Sequence, residues 1–191
     1  TNFRKKNKIK KDPIILGYAG RYAKQKNIET LLISFSKIIN NYDNIYLFMA
    51  GKNINSENIE LKNLVLKYKV NKKVIFLGQQ KELLEFYNGV DLLLLSSHSE
   101  SFPNVIAESM LCSTPVISSN AGCAKKIIGN SGFVLDKNDY ISFTKGLNKT
   151  LNFYLSKKKN WKIMQRNARI RIKNNFSIER MSEKYIKSWI F

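Results

Sequence analysis

Two loops of this 191-residue chain carry residue types that could handle a diphosphate and the sugars on either side of it. The first reads Gly20-Arg21-Tyr22-Ala23-Lys24-Gln25-Lys26-Asn27. Gly20 permits a tight turn. Arg21 offers a planar fork of donors and Lys26 a compact positive charge, a pairing that suits a diphosphate. In a basic protein the same loop also reads as an ordinary solvated one. The second loop runs from Ser96 to Glu108 and contains Glu100-Ser101-Phe102-Pro103-Asn104-Val105. Pro103 suits the first turn of a helix. Main-chain amides between Phe102 and Val105, except at Pro103, would then be unpartnered and would attract phosphate together with the helix dipole. Glu100 falls just outside that start and Glu108 about a turn and a half inside it. Carboxylates accept hydrogen bonds from hydroxyls, so two of them suit a sugar and a ribose. The plainer alternative makes Glu100 an electrostatic complement to the helix and Glu108 a surface acid. His98, the one histidine, reads as a loop residue.

Both loops need a scaffold, and the hydrophobic pattern supplies one. Short apolar runs at Pro13–Ala19, Ile45–Ala50, Val74–Leu77, Leu92–Leu95 and Pro115–Ser118 read as buried strands, with Gly132–Leu135 as a sixth. Leu92–Leu95 is so apolar that both of its faces must be covered. Helical spacing occurs between them, over Asn27–Asn40, Glu57–Lys69, Glu82–Asn88 and Pro103–Leu111. This alternation predicts an α/β fold, a doubly wound parallel sheet of Rossmann-like type. Residues 13–176 form that domain. Thr1 to Asp12 reads as a basic linker. Three further helices are expected at Ile141–Leu155, Trp161–Lys173 and Ile178–Phe191. Ligands of such sheets bind at the carboxyl ends of the strands, where both chemically suggestive loops lie.

Composition narrows the class. No apolar run approaches the roughly 20 residues of a membrane-spanning helix, because Asp91 interrupts the longest, Val90 to Leu95. No apolar signal core follows the basic start. Cys112 and Cys123 lack metal-site spacing and fit a reducing compartment, so a cytoplasmic protein is expected. The formal charge of +19 either reflects general enrichment in lysine, asparagine and isoleucine or draws the chain peripherally to an anionic membrane. Specific nucleic-acid recognition is not expected, since no recognition motif or aromatic stacking pattern accompanies the charge.

The two loops resemble the C-terminal, donor-binding domain of retaining GT-B glycosyltransferases of the group 1 type, which include many bacterial polysaccharide and lipopolysaccharide enzymes. One signature is Gly20-Arg21 with Lys26 five residues after the arginine. The other is Glu100 and Glu108, seven residues between them, within ESFPNVIAESM. Phe76-Leu77-Gly78, Tyr87, Asp91, Ser113-Thr114-Pro115-Val116-Ile117, Gly132-Phe133-Val134 and Phe176-Ser177 followed by Tyr185 extend the similarity over the chain from about Ile14.

The resemblance implies roles. Gly20, Arg21 and Lys26 would hold the donor diphosphate, with the two cations neutralising the departing nucleotide. Glu100 would contact the donor sugar near the reacting carbon. Ser101, Phe102, Pro103, Asn104 and Val105 would form the helix start that faces sugar and phosphates. Glu108 would bind the ribose, and Gly78, Gln79 and Gln80 would lie near the base. The nucleoside-diphosphate sugar is a substrate, and neither cofactor nor metal is implied. A non-catalytic nucleotide-sugar-binding or interaction module derived from such an enzyme is the second reading. Three positions depart from the pattern: Asn27 and Ser101 stand where glycine is frequent, and Lys126 where an acid is usual. The family also carries an N-terminal acceptor domain. Residues 177–191 would pack on that domain or on a partner subunit, leaving Met181, Tyr185, Ile186, Trp189, Ile190 and Phe191 partly exposed without it.

Overall fold

The structure is a computed structural model that describes residues 1–9 and 13–189. Six strands form one parallel sheet: β1 (Ile14–Ala19), β2 (Ile45–Ala50), β3 (Val74–Gly78), β4 (Leu92–Leu95), β5 (Val116–Ser119) and β6 (Phe133–Leu135). Their spatial order is β3-β2-β1-β4-β5-β6. All pairs are parallel, with Leu16 opposite both Leu47 and Leu92. Successive strands are added in one direction from β1 to β3 and in the other from β4 to β6, which makes the β1–β4 junction the switch point where ligands of such sheets bind. The expected doubly wound Rossmann-like fold is therefore the observed one.

The period of two along each strand decides which helices cover which face. Leu16, Tyr18, Leu47, Met49, Leu92 and Leu94 point to one side. They pack there with buried residues of α2 (Ile28–Ile38), α3 (Ile59–Lys67) and α7 (Tyr140–Ser156). Ile15, Ala19, Phe48, Leu93 and Leu95 point to the other. That face is covered by α4 (Leu84–Gly89), α5 (Asn104–Leu111), α6 (Ala124–Ile128) and α8 (Lys158–Asn175). Thus the unbroken leucine run of β4 divides between two cores, and all four side chains are at most 1% exposed.

Helix boundaries follow local chemistry. Asn27 sits in the left-handed region (φ 48°), so α2 begins only at Ile28. Asn58 caps α3 by accepting from the Leu61 amide at 3.1 Å. Asp139 does the same for α7, accepting from the Ser142 amide at 2.7 Å. Such oxygens satisfy amides that have no partner within the helix. The short helix α6, five residues long, lacks enough turns to show a hydrophobic period and was not expected from the pattern.

The expected linker needs correction. Asn2–Lys6 forms a short helix, α1. Its Phe3 is 5% exposed and packs edge-on against Phe48 and Phe86, with ring centroids 5.4 and 5.7 Å away. Arg4 pairs with Asp91 at 2.7 Å and donates to the carbonyls of Gly89 (3.0 Å) and Pro13 (3.2 Å). The Asp91 carboxylate also accepts from the Ile15 amide at 2.7 Å. Burial raises the Asp91 pKa, opposed by these hydrogen bonds and the Arg4 charge. A mostly polar segment is thus anchored by one aromatic ring and one guanidinium. Lys10, Lys11 and Asp12 lie outside the described residues.

At the other end, α9 spans Ile178–Trp189. Its Met181, Tyr185, Ile186 and Trp189 are 52, 62, 58 and 83% exposed. Ile190 and Phe191 lie outside the described residues.

Candidate donor site at the switch point

The loop after β1 is held by β2 before any side chain acts. Gly20 and Tyr22 donate their amides to the carbonyls of Ala50 and Lys52, each at 2.9 Å. Gly51 has φ 145°, and a Cβ there would overlap the Gly20 carbonyl, so only glycine allows this approach. Beneath the loop, the buried Tyr18 hydroxyl donates to the Arg21 carbonyl at 3.1 Å. Its pKa is raised by burial first and by the Glu100 charge second. The Arg21 side chain itself is exposed.

Lys26 and Glu100 come together across the switch point. Lys26 Nζ lies 2.6 Å from Glu100 Oε1, and the two side chains are only 13 and 10% exposed. Ser97 Oγ donates to the same oxygen at 2.7 Å. Glu100 Oε2 takes no hydrogen bond among the described residues. The backbones of the two loops are stitched as well. Ser96 Oγ contacts the carbonyls of Lys26 (3.0 Å) and Asn27 (2.9 Å), and the His98 amide donates to the Gln25 carbonyl at 2.8 Å. The loop after β5 supports Glu100 from below. Gly122 has φ 55°, and a Cβ there would overlap the Glu100 carbonyl. Ser119 and Asn138 donate to the Ser97 carbonyl at 2.6 and 2.8 Å.

The start of α5 is left open. Pro103 occupies the cap position, no side chain caps the helix, and its first turn carries no acid. The amides of Asn104 and Val105 have no partner within the helix, which leaves donors and a positive dipole end a few residues beyond Glu100 in sequence. Glu100 is committed to Lys26 and Ser97, so it does not serve as a helix cap. Ser101, Phe102 and Asn104 are exposed, Val105 is half-buried and Pro103 is buried.

Glu108 is held separately, farther along α5. The Tyr87 hydroxyl donates to Glu108 Oε2 at 2.7 Å. Tyr87 is 2% exposed, and its pKa is raised by burial and then by this carboxylate. Glu108 is otherwise exposed, with Oε1 unbonded among the described residues. Gly78 ends β3 with φ 68°; its amide donates to Ile54 and its carbonyl accepts from Gly51. Gln79 and Gln80 line a cleft of about 790 Å³ with Leu77, Lys81 and Phe86. That cleft lies beside β3 and α4 and does not include Lys26 or Glu100.

The structure therefore joins Lys26 and Glu100, with the α5 start a few residues beyond Glu100 in sequence; Arg21 lies in the loop after β1, Glu108 within α5, and Gly78 at the end of β3 followed by Gln79 and Gln80. His98 stands apart. It is exposed, and its Nδ1 faces the Asn138 amide at 3.1 Å. An amide nitrogen donates, so that ring nitrogen accepts. Of the departures, Asn27 occupies a left-handed conformation that asparagine tolerates, and Ser101 requires no positive φ. Lys126 is exposed on α6. Sequence reasoning missed the supports. Ser97 and Tyr87 hold one oxygen of each acid, while Gly51 and Gly122 admit close backbones. Among the described residues, no three His, Cys, Asp or Glu side chains gather as a metal site.

The sequence matches the profile of the family Glycosyl transferases group 1 over residues 1–171. The capsular polysaccharide biosynthesis glycosyltransferase CapM of Staphylococcus aureus is 28% identical over 175 residues, 91% of this chain and 45% of that protein. Among solved structures, Anabaena HepE in complex with UDP-glucose superposes with TM-score 0.83 at 18% identity, over 98% of this chain and 51% of that one. The C-terminal domain of LpcC, a glycosyl transferase group 1 family protein of Francisella tularensis, superposes with TM-score 0.74 at 21% identity, over 93 and 92% of the two chains. This chain thus spans about half the length of a curated relative such as CapM. With the family profile matched over most of its length and the fold of one GT-B half, the chain belongs to the Glycosyl transferases group 1 family.

Proposed function

We propose that this chain is the donor-binding half of a glycosyltransferase that moves a sugar from a nucleoside-diphosphate sugar to a glycan or lipid-linked acceptor with retention of configuration. The observation that carries the reading is the Lys26–Glu100 pair, fixed by Ser97 at the switch point beside an uncapped helix start. Relatives support the class of process. CapM is named for capsular polysaccharide and WclY of Escherichia coli for O-antigen biosynthesis. HepE supports the class of donor, having been captured with UDP-glucose.

In this reading the diphosphate lies between Arg21, Lys26 and the Asn104 and Val105 amides. The bond from the sugar's anomeric carbon to the diphosphate oxygen breaks, and the negative charge that gathers on the leaving nucleotide is met by these donors. Preorganised donors of this kind are each worth roughly a hundredfold or more in rate. They supply the charge neutralisation that a metal ion gives elsewhere, so none is needed in this scheme. Glu100 Oε2 takes donor-sugar hydroxyls, Glu108 takes the ribose, and Gly78, Gln79 and Gln80 border the base. An N-terminal domain or partner subunit brings the acceptor.

A thermal-shift screen over UDP, GDP, ADP and their sugars tests the reading, because a ligand that binds only the native state raises its melting point. One of these ligands should stabilise the chain, and Arg21→Ala should weaken its binding by about 1.5–3 kcal/mol. If Arg21→Ala leaves that affinity unchanged, the loop assignment fails. A complemented enzyme separates catalysis from mere binding. Glu100→Ala should abolish transfer while the nucleotide still binds, whereas a derived binding module would show no transfer with the native glutamate either.

A further inference from the structure

Ten lysines and arginines fall between Asp139 and Glu179, and no carboxylate does. The stretch forms the α7–α8 hairpin, whose inward side chains include Phe143, Leu147, Leu151, Trp161, Ala168 and Ile172. In α8 the buried positions Trp161, Ala168 and Ile172 define the inner face. At 3.6 residues per turn, Lys159, Lys162, Arg166 and Lys173 fall together on the opposite side, and all four are exposed. Ile163 and Ile170, two turns apart, border that row and are 52 and 43% exposed. Other cations of the hairpin have different work. Arg169 donates to the Leu111 carbonyl, Arg171 to those of Ile127 and Lys126, and Lys158 lies 3.7 Å over the Tyr154 ring.

We propose that this outward face of α8 is a docking surface for an anionic bilayer. A row of cations without an acid complements a negatively charged surface, and adjacent aliphatic side chains suit the boundary between headgroups and acyl chains. A surface built for single-stranded nucleic acid would offer aromatic rings for stacking, and this row offers isoleucines. The placement is also economical for a membrane-held acceptor. At the far end of α8 the Phe176 ring lies 6.1 Å from Phe102, at the open start of α5. The proposal uses none of the donor-site residues, and it stands whether or not the donor reading holds.

Vesicle co-sedimentation of the full chain tests it, comparing phosphatidylcholine vesicles with vesicles that also contain phosphatidylglycerol. The chain should partition onto the anionic vesicles only. Lys159→Ser, Lys162→Ser and Arg166→Ser together should lower the partition coefficient about a hundredfold, at about fivefold per charge. Ile163→Ser with Ile170→Ser should lower it about tenfold, with binding to heparin and duplex DNA unchanged. All five residues are exposed, so melting temperatures should match the parent. Partition that survives the triple substitution would overturn the assignment of this face. An isoleucine pair without effect, alongside equal affinity for heparin or DNA, would overturn the bilayer in favour of a general polyanion patch.

Discussion

A carboxylate that must meet a ligand needs one oxygen fixed and the other free. Ser97 and Tyr87 provide that for the two glutamates. Each is a buried hydroxyl donating to one oxygen, 2.7 Å away, on Glu100 and Glu108 respectively. The arrangement predicts a split between stability and binding. Tyr87→Phe removes a hydrogen bond to a charged group and should cost about 1.5–3 kcal/mol if none replaces it. Because Glu108 is largely exposed, water will recover part of that in the folded protein. Denaturation should therefore show a loss toward or below the low end of that range, while nucleoside-diphosphate affinity falls severalfold. Ser97→Ala leaves Lys26 as the remaining partner of Glu100 Oε1 among the described residues, so it should weaken sugar-nucleotide binding more than binding of the bare diphosphate nucleotide. Equal losses for both ligands in calorimetry would mean that Ser97 only supports the fold.

Among the elements, strand identity was the most legible in the sequence. The Leu92–Leu95 run required cover on both faces and has it, and the alternating sides of β1 follow from the period of two. Two short elements were not legible. Helix α1 hides in a basic segment because a single ring, Phe3, supplies its anchor, and its polar attachment runs through Asp91, more than eighty residues away. No local pattern encodes a partner so distant. The site divides in the same way. Lys26 and Glu100 announced themselves by charge and spacing, while the roles of Ser97, Gly51 and Gly122 arise from loops that meet only in the folded sheet.

Capping gives a pH-dependent prediction for one element. Asp139 accepts from the backbone and hydroxyl of Ser142, and the backbone bond is the larger cause of a pKa below the usual 3.8. A folded pKa below the unfolded one means that the stabilisation is fully present above the ordinary value and is lost as pH falls through the folded one. Amide exchange at Ser142 should therefore quicken, relative to its intrinsic rate, once pH drops below about 4. Asp139→Ala should show the faster exchange already at neutral pH. An unchanged protection factor in both conditions would remove Asp139 as the cap of α7.

For the whole molecule, the sheet and its two cores are complete without α9. Every described side chain of that helix whose placement is given is exposed, including Trp189 at 83%. Such a face marks a partner surface, and in the proposed function that partner is the acceptor-bearing domain or subunit. Removing residues 178–191 should then leave the melting temperature within about 2 °C of the parent, since 1 kcal/mol shifts a domain of this size by roughly 2–4 °C. Self-association at high concentration should decline in the same variant. A large fall in melting temperature would show that α9 packs on this domain in solution.

In the proposed function a diphosphate binds between the loop after β1 and the start of α5. Amide chemical shifts report it directly during titration with UDP, GDP and ADP. A nucleotide that binds should move the Gly20, Arg21, Asn104 and Val105 amides most, with smaller changes near Gly78 to Gln80. If a bound nucleotide leaves those four amides in place and perturbs another face of the sheet, the proposed site is contradicted.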